Sequence, residues 1–364
     1  MISTYSSNAQ LLISKSGLQN NLAAYRSMLK PGTRLLLMVK ANGYGTDSIM
    51  IANAVDHQVD YLGAAYSSNA YQLRENGIKT PIMVMAPESS DLKKLAAYDD
   101  LEPVLYSLEM IKAATELNQL IKAHIEIDSG MRRLGVRKEE LDKALDLISG
   151  SKIEVASIFS HLAGSGDEEY DDFSKEQAAY FEECFKTLST KLPYHPLKHL
   201  TSSAGTRRFP EYQFDMIRLG IGFYGFDPSH LVQDKLNAMA TLQTKILQVM
   251  EVEAGETIGY DRKGSLPYKG KIATLSIGYG DGYLRVFGNG SAEVFINGKR
   301  AKTVGNVCMD LTMIDVTDIP CKPGDLVELF GAHITIEEMA NHANTIPYEI
   351  LTNISPRVER IMVS

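Results

Sequence analysis

LLLMVKANGYG (35–45) joins an unbroken apolar run to a lysine and then, at once, to a turn containing Asn42, Gly43 and Gly45. An apolar run this short, closed by turn residues, reads as a buried β-strand. The same rhythm of apolar run, turn and amphipathic stretch continues to about residue 225. The runs are RLLLMVK (34–40), YLGAAY (61–66), PIMVM (81–85), LEPVLY (101–106), AHIEID (123–128), VASIFSHL (155–162), HLTSS (199–203) and MIRLGIGFYG (216–225). Between them lie SSDLKKLAAY, SLEMIKAATEL, RKEELDKALDLI and DFSKEQAAYFEECFKTL, helical in period, with Ser or Asp openings that suit N-caps. Eight βα repeats suggest a barrel, although periodicity alone does not separate a closed barrel from an open doubly wound sheet.

After about residue 235 the pattern changes. LQTKILQVMEV, KIATLSIG, SAEVFING, LTMIDV and DLVELFG are strand-like and punctuated by Gly, Pro and Asn. Asn297-Gly298, between two apolar runs, predicts a hairpin with a type I′ turn. The expected class is therefore α/β plus β: residues 1–235 as a barrel, its first residues pairing with the second domain, and residues 236–364 as a mainly β domain. A chain of 364 residues exceeds the size at which one core keeps growing, in agreement with two domains.

Composition excludes several functions. With 44% hydrophobic and 23% charged residues, and no apolar run near eighteen residues, the chain reads as globular, with no membrane partner. The opening MISTYSSNAQ has no charged-then-apolar secretory pattern, so the expected address is the cytoplasm. Cys184, Cys308 and Cys321 form no Cys-x-x-Cys pair, so neither a disulfide framework nor a metal site is expected. A net charge of −8 offers no footprint for nucleic acid. A small molecule is the expected ligand.

Lys40 closes the first strand, and barrel enzymes place their chemistry at the C-terminal strand ends. A lysine held among apolar groups has a lowered pKa and bonds covalently to carbonyl cofactors. Taken alone, a lysine at a strand edge is better read as a snorkelling side chain. The whole segment is more specific: VKANGYG resembles the pyridoxal-phosphate lysine motif of the alanine racemases, pyridoxal 5'-phosphate enzymes of fold type III. Further resemblances follow in the family's order: DSGMRRLG (128–135), SHLAGSGDE (160–168), HLTSSAGTRRFP (199–210), DMIRLGIGFYG (215–225), IGYDR (258–262), SIGYGDGY (276–283), VGNVCMD (304–310) and ISPRVER (354–360). Together they span nearly the entire chain.

The resemblance implies an N-terminal (β/α)8 TIM-type barrel, a C-terminal β domain and racemisation of alanine in a homodimer with shared active sites. It implies that Lys40 holds the cofactor and serves one face of the substrate, with Tyr260, from the partner chain, serving the other. Removing a Cα proton from one face and returning one to the other suits two opposed bases. A tyrosine titrates ordinarily near pH 10, so that role calls for hydrogen-bonding or cationic neighbours. Tyr44, Ser203 and the Gly220-Ile221 backbone match phosphate contacts, and His161 matches a histidine near the cofactor ring. Arg218 matches the arginine that donates to the ring nitrogen, and His199 the histidine that bonds that arginine. A guanidinium donates but does not accept, so it leaves the ring nitrogen unprotonated and the electron sink moderate. Arg133 and the Met309 backbone match groups at the substrate carboxylate, and Tyr279 one that restricts side-chain size.

The chain departs from the family's usual pattern at three places. Glu126 stands where many members have a lysine that is carbamylated and orients the arginine matching Arg133; its carboxylate is expected to replace the carbamate in a charge-assisted contact. Arg132 replaces a Gly or Asn, and Pro356 takes the place of a tyrosine found in some members. These two changes leave room for serine or broader specificity. A fold-related decarboxylase lacks support because no GESCD-like segment is present. A non-catalytic pyridoxal-phosphate carrier would need neither Tyr260 nor a β domain, and a regulator would need a basic DNA-binding module.

Overall fold

The structure is a computed structural model that describes residues 8–364. Expectations resting on residues 1–7, those about a leader and about the earliest pairing with the β domain, lie outside the described residues. The chain divides into two compact units.

One unit contains Leu18–Gly43 and Ser48–Asn237. Following β1 (Gln10–Ser14), which belongs to the other unit, come β2 (Arg34–Met38), β3 (Tyr61–Ala64), β4 (Ile82–Val84), β5 (Leu101–Leu105), β6 (Ile121–Glu126), β7 (Ile153–Phe159), β8 (Leu197–Ser202) and β9 (Met216–Leu219). Strands β2 to β9 form a closed barrel. Closure is made by β2 and β9, parallel, with Arg34 opposite Met216 and Leu37 opposite Leu219. Strands β3, β4, β5 and β9 are buried along their whole length, as a parallel sheet beneath covering helices requires.

The helices pack their apolar stripes outside the strands: Leu141, Leu145 and Ile148 of one, and Phe181, Phe185 and Leu188 of the next, share a core with Ile125, Val155 and Ile158. Each such side chain contributes roughly 1.5–3 kcal/mol on burial. Ser107 caps its helix as expected, its hydroxyl accepting from Met110 N at 3.2 Å. Helix Asp171–Ser189 opens without a side-chain cap; Asp171 instead pairs with Arg208. The run MIRLGIGFYG is a strand only through Leu219. Beyond it the N–H groups of Gly220 and Gly222 turn to Ser203 Oγ, at 3.0 and 3.2 Å, and tight turns carry the chain onward.

The other unit contains β1, Tyr44–Asp47 and Ala238–Ser364. Its strands are β1, β10 (Ala240–Val252), β11 (Gly270–Leu275), β12 (Glu293–Ile296), β13 (Lys299–Val304), β14 (Thr312–Asp315), β15 (Leu326–Phe330) and β16 (Glu359–Val363). The sheet order is β11-β14-β13-β12-β15-β10-β1-β16, antiparallel except that β1 runs parallel to β16. The β12–β13 hairpin turns on Asn297 (φ 45°) and Gly298 (φ 82°), the two left-handed residues of a type I′ turn. Two short helices, Ile336–His342 and Pro347–Thr352, complete this unit.

In the barrel unit, the loop after β6 is fastened by main-chain bonds: Val136 N to Glu126 O at 2.8 Å, Asp128 N to Val136 O at 3.1 Å and Gly135 N to Tyr106 O at 3.1 Å. Gly135 has φ +124°, and a Cβ there would lie 2.3 Å from Asp128 N, a backbone atom that has no rotamer to yield. Gly135→Ala should therefore cost about 1–3 kcal/mol from backbone strain alone, with steric repulsion added. Urea unfolding that leaves the midpoint unchanged would show that this loop is not held as described.

Candidate active site

The C-terminal strand ends of the barrel bring together most of the residues singled out from the sequence. Lys40 follows β2 and is partly open to solvent. Enough protein surrounds its ammonium that burial is the largest influence lowering its pKa, followed by the charges of Arg133 and Arg218. The next residues turn left-handed, Ala41 (φ 50°), Asn42 (φ 53°) and Gly43 (φ 62°), while Gly43 N bonds to Val39 O at 3.0 Å. Consecutive left-handed residues are unfavourable for L side chains.

Arg218, on β9, is 3% exposed. Its Nη1 is 2.8 Å from His199 Nδ1, and its Nη2 reaches Ser160 O at 2.7 Å, Leu200 O at 2.9 Å and His161 Nδ1 at 3.0 Å. The guanidinium carbon lies 5.0 Å from the centroid of Phe159, whose ring stacks on His199 at 4.9 Å. Burial draws the Arg218 pKa down to about 10, Glu126 opposing and Arg133 reinforcing, so it stays charged at neutral pH. Because a guanidinium only donates, both facing Nδ1 atoms are acceptors. Burial, then Arg218, then Arg133 and Lys40, pull His161 to about 3; burial, Arg218 and His124 pull His199 well below its ordinary value.

Ser203 Oγ accepts two backbone N–H bonds, from Gly220 and Gly222, which leaves its own hydrogen to donate elsewhere. The Ile221 side chain is buried.

Glu126 ends β6 and is 5% exposed. Burial raises its pKa to about 6, against the lowering effects of Arg218 and then Arg133 and with a small rise from Asp128. The expected direct contact with Arg133 is not made: among the described residues the two are coupled through space, because Arg133 extends to an exposed position. The Arg132 substitution is absorbed locally. Its φ is +59°, a conformation that explains a Gly or Asn at this place, and Asp128 secures it through Arg132 N and Nη1, each at 3.0 Å. Asp128 Oδ1 also accepts from Gly130 N at 3.0 Å. Burial would raise the Asp128 carboxyl, but these bonds prevail and lower it.

Tyr44, Tyr260, Tyr279 and Met309 fall in the β unit. Tyr44 is buried beside Tyr348, ring centroids 6.2 Å apart, and burial first, then Tyr348, push its phenol upward. Tyr279 and Met309 are brought together by Gly280 N to Met309 O at 2.9 Å and Tyr279 N to Cys308 O at 3.0 Å. Arg357 braces both segments, reaching Asp281 and Asp310 at 2.8 Å each. Tyr260 is 70% exposed, Met309 55% and Tyr279 39%. The Tyr260 carbonyl is held by Asn306 Nδ2 at 3.2 Å.

Sequence reading passed over Glu102, His124 and Ser157, all fully buried on β5, β6 and β7. The available signal was polar residues within LEPVLY, AHIEID and VASIFS, since central parallel strands are ordinarily apolar throughout. Among the described residues, no group of three or more His, Cys, Asp or Glu is arranged to hold a metal, and no helix is long and apolar enough to cross a membrane.

The donor set fits pyridoxal 5'-phosphate. It combines a primary amine with lowered pKa, an always-protonated guanidinium with an Nη1–H and the Nε–H not engaged by the acceptors above, and a serine hydroxyl beside glycine-rich backbone.

Comparison with known proteins gives a consistent assignment. Residues 13–228 match the family model "Alanine racemase, N-terminal domain", and residues 239–362 match "Alanine racemase, C-terminal domain". Alanine racemase 1 of Oceanobacillus iheyensis is 32% identical, the alignment covering 97% of each chain. The crystal structure of alanine racemase from Bacillus anthracis with bound L-Ala-P superposes with a TM-score of 0.91 at 30% identity, covering 100% of this chain and 96% of that one. That from Bartonella henselae with covalently bound pyridoxal phosphate gives 0.87 at 30% identity, covering 98% and 99%.

The raised Glu126 pKa has a thermodynamic sign. Between about 4.5 and 6 the folded state binds the proton that the unfolded state releases, so this group's contribution to stability falls as pH rises through that window. Relative to Glu126→Gln, the unsubstituted chain should lose about 2 kcal/mol of unfolding free energy between pH 4.5 and 7. Parallel pH profiles for the two proteins in urea would contradict the buried, unneutralised carboxylate.

Proposed function

The chain belongs to the alanine racemase family, and from that premise we propose that it interconverts L-alanine and D-alanine with pyridoxal 5'-phosphate held at Lys40. The observation that carries this reading is the pairing of a lysine amine with a buried, donor-only Arg218 at the strand ends of one barrel. When bound, the cofactor supplies an electron sink that acidifies the substrate Cα–H.

The remaining work belongs to the chain. Lys40, its amine biased toward the neutral form by burial, Arg133 and Arg218, takes or returns the Cα proton on the D-enantiomer's side. Tyr260 of the partner subunit serves the opposite face. The exposure of Tyr260, Met309 and Tyr279 on the β unit supports a homodimer in which these side chains complete a second copy's site. Arg218 holds the ring nitrogen, His199 holds Arg218, and His161 lies beside the ring. Tyr44, Ser203 and the Gly220-Ile221 backbone take the phosphate. Arg133 and the Met309 N–H meet the substrate carboxylate, and Tyr279 limits side-chain size. Glu126 takes the carbamate's place as a carboxylate that feels Arg133 through space. Arg132, its guanidinium tied to Asp128 in its own loop, takes no part in selecting the substrate side chain.

Purified protein with added pyridoxal phosphate should racemise L-alanine in preference to L-serine and L-lysine, followed by chiral chromatography. Dominant serine or lysine turnover would overturn the substrate assignment; absence of all turnover would leave a cofactor carrier. Tyr260→Phe should slow Cα deuterium exchange from L-alanine by about 10²–10⁴-fold while leaving cofactor absorbance in place. Unchanged exchange from both enantiomers would remove Tyr260 from the reaction.

A further inference from the structure

Beneath Arg218 a line of polar side chains runs through the barrel interior. His199 Nε2 is 2.8 Å from Ser157 Oγ, and Ser157 Oγ is 2.7 Å from His124 Nδ1. His124 Nε2 lies 2.9 Å from Glu102 Oε2, an ion-pair distance without hydrogen-bond alignment, and both atoms are buried with no hydrogen-bond partner among the described residues. Glu102 Oε1 receives Lys122 Nζ at 2.7 Å, and Lys122 also reaches Tyr61 at 3.4 Å. Glu102, His124, Ser157 and His199 are each 0% exposed, whereas the Lys122 side chain is 36% exposed. His124 and Ser157 are register partners, and His199 stands two residues beyond Leu197, the partner of Ser157. The line therefore climbs from the entry ends of β5 and β6 to the site.

Its two ends determine its polarity. Arg218 only donates, so His199 Nδ1 carries a lone pair and Nε2 carries the hydrogen. A carboxylate only accepts, so His124 Nε2 carries its hydrogen, and in the neutral imidazole Nδ1 is then the acceptor. Ser157 then accepts from His199 and donates its single hydrogen to His124. In this orientation every donor faces an acceptor, and reversing any member places two donors or two acceptors face to face. Burial alone would raise the Glu102 pKa, but His124 and Lys122 outweigh it and keep the carboxyl ionised. Burial likewise opposes the Lys122 charge, and Glu102 overcomes it, taking that ammonium to about 12.

A buried ionic chain is no better for stability than apolar residues of the same volume, and the residues flanking these three in their strands are apolar: Leu101 and Pro103, Ala123 and Ile125, Ala156 and Ile158. Its gain is orientation. We propose that Glu102, His124 and Ser157 are positioning residues that lock the tautomer of His199, and through it the aim of the Arg218 guanidinium. The proposal rests on the functional reading of Arg218 given above, and it extends that site by three strands to a carboxylate at the barrel's far end. No net proton transfer is involved; the line acts as a fixed array of dipoles from cation to anion.

Glu102→Gln tests it, because a glutamine can donate to His124 Nε2. His124 would then donate to Ser157, Ser157 to His199 Nε2, and a hydrogen on His199 Nδ1 would oppose Arg218. Two-bond ¹H–¹⁵N spectra of histidine-labelled holoenzyme should show His199 and His124 each unprotonated at Nδ1 and protonated at Nε2. In Glu102→Gln the His199 pattern should reverse or broaden, kcat should fall about 10-fold, the low end of the range for residues that orient a site's own ligands, because the effect passes through several bonds, and KM should change little. Should that variant not fold, Ser157→Ala breaks the line with a smaller change and should lower kcat at constant KM. A His199 protonated at Nδ1 in the unsubstituted protein would overturn the relay. So would a Glu102→Gln enzyme with unaltered His199 signals and kcat. Failure of the unsubstituted chain to take up pyridoxal phosphate, read from its visible absorbance, would defeat the functional reading instead, while the histidine spectra still judge the relay.

Discussion

A guanidinium cation at 3% exposure is the constraint around which the barrel site is arranged. An ion of that size loses several kcal/mol of hydration when it leaves water, and only close acceptors offset the loss. Arg218 obtains them from β7 and β8 and their ends: the carbonyls of Ser160 and Leu200, and the two histidine Nδ1 atoms. Burial first, and then this cation, keep both histidines neutral, and Phe159 presents its face to the same group. It also bears on Glu126, whose carboxylate offers compensating charge from a distance and is itself difficult to ionise there. Behind burial, which is the larger influence on each, this one cation acts on the protonation of four neighbouring side chains, His161, His199, Glu126 and Lys40.

The loop after β6 shows how a change that violates a local preference can be absorbed. Arg132 occupies a left-handed position where a β-carbon is unwelcome. Asp128 compensates by accepting from two backbone N–H groups and from the arginine's own Nη1. The result is a loop carrying two adjacent arginines with separate fates, one tied down locally and one extended at an exposed position.

Much of this was legible in residue order. The βα rhythm locates the barrel strands, and Asn297-Gly298 announces its hairpin, because apolar period and turn chemistry are local properties. Closure of the barrel is not local: it depends on Arg34 meeting Met216, and here the family resemblance carried what periodicity could not. MIRLGIGFYG reads as one run because its residues are apolar, yet the glycine N–H groups find a serine hydroxyl and the strand stops. Glu102, His124 and Ser157 were overlooked for a related reason. Each is an isolated polar letter in an apolar word, and only side-chain distances reveal that the three touch in series. The expected Glu126–Arg133 contact followed from charge complementarity, which says nothing of reach.

The segment Tyr44–Asp47 belongs to the same compact unit as the C-terminal sheet, although it follows the first barrel strand. Gly45 O accepts from Arg360 Nε and Nη2 at 3.1 and 3.0 Å, and a Cβ on Gly45 would lie 2.1 Å from Leu351 O. With β1 also in that sheet, the polypeptide passes between the two bodies four times rather than once. Neither body is therefore a cassette that recombination could exchange by a single crossover. A graft of a foreign β domain after residue 237 would inherit a barrel whose lysine loop still carries four residues shaped for the departed sheet, so the two bodies are bound to diverge together.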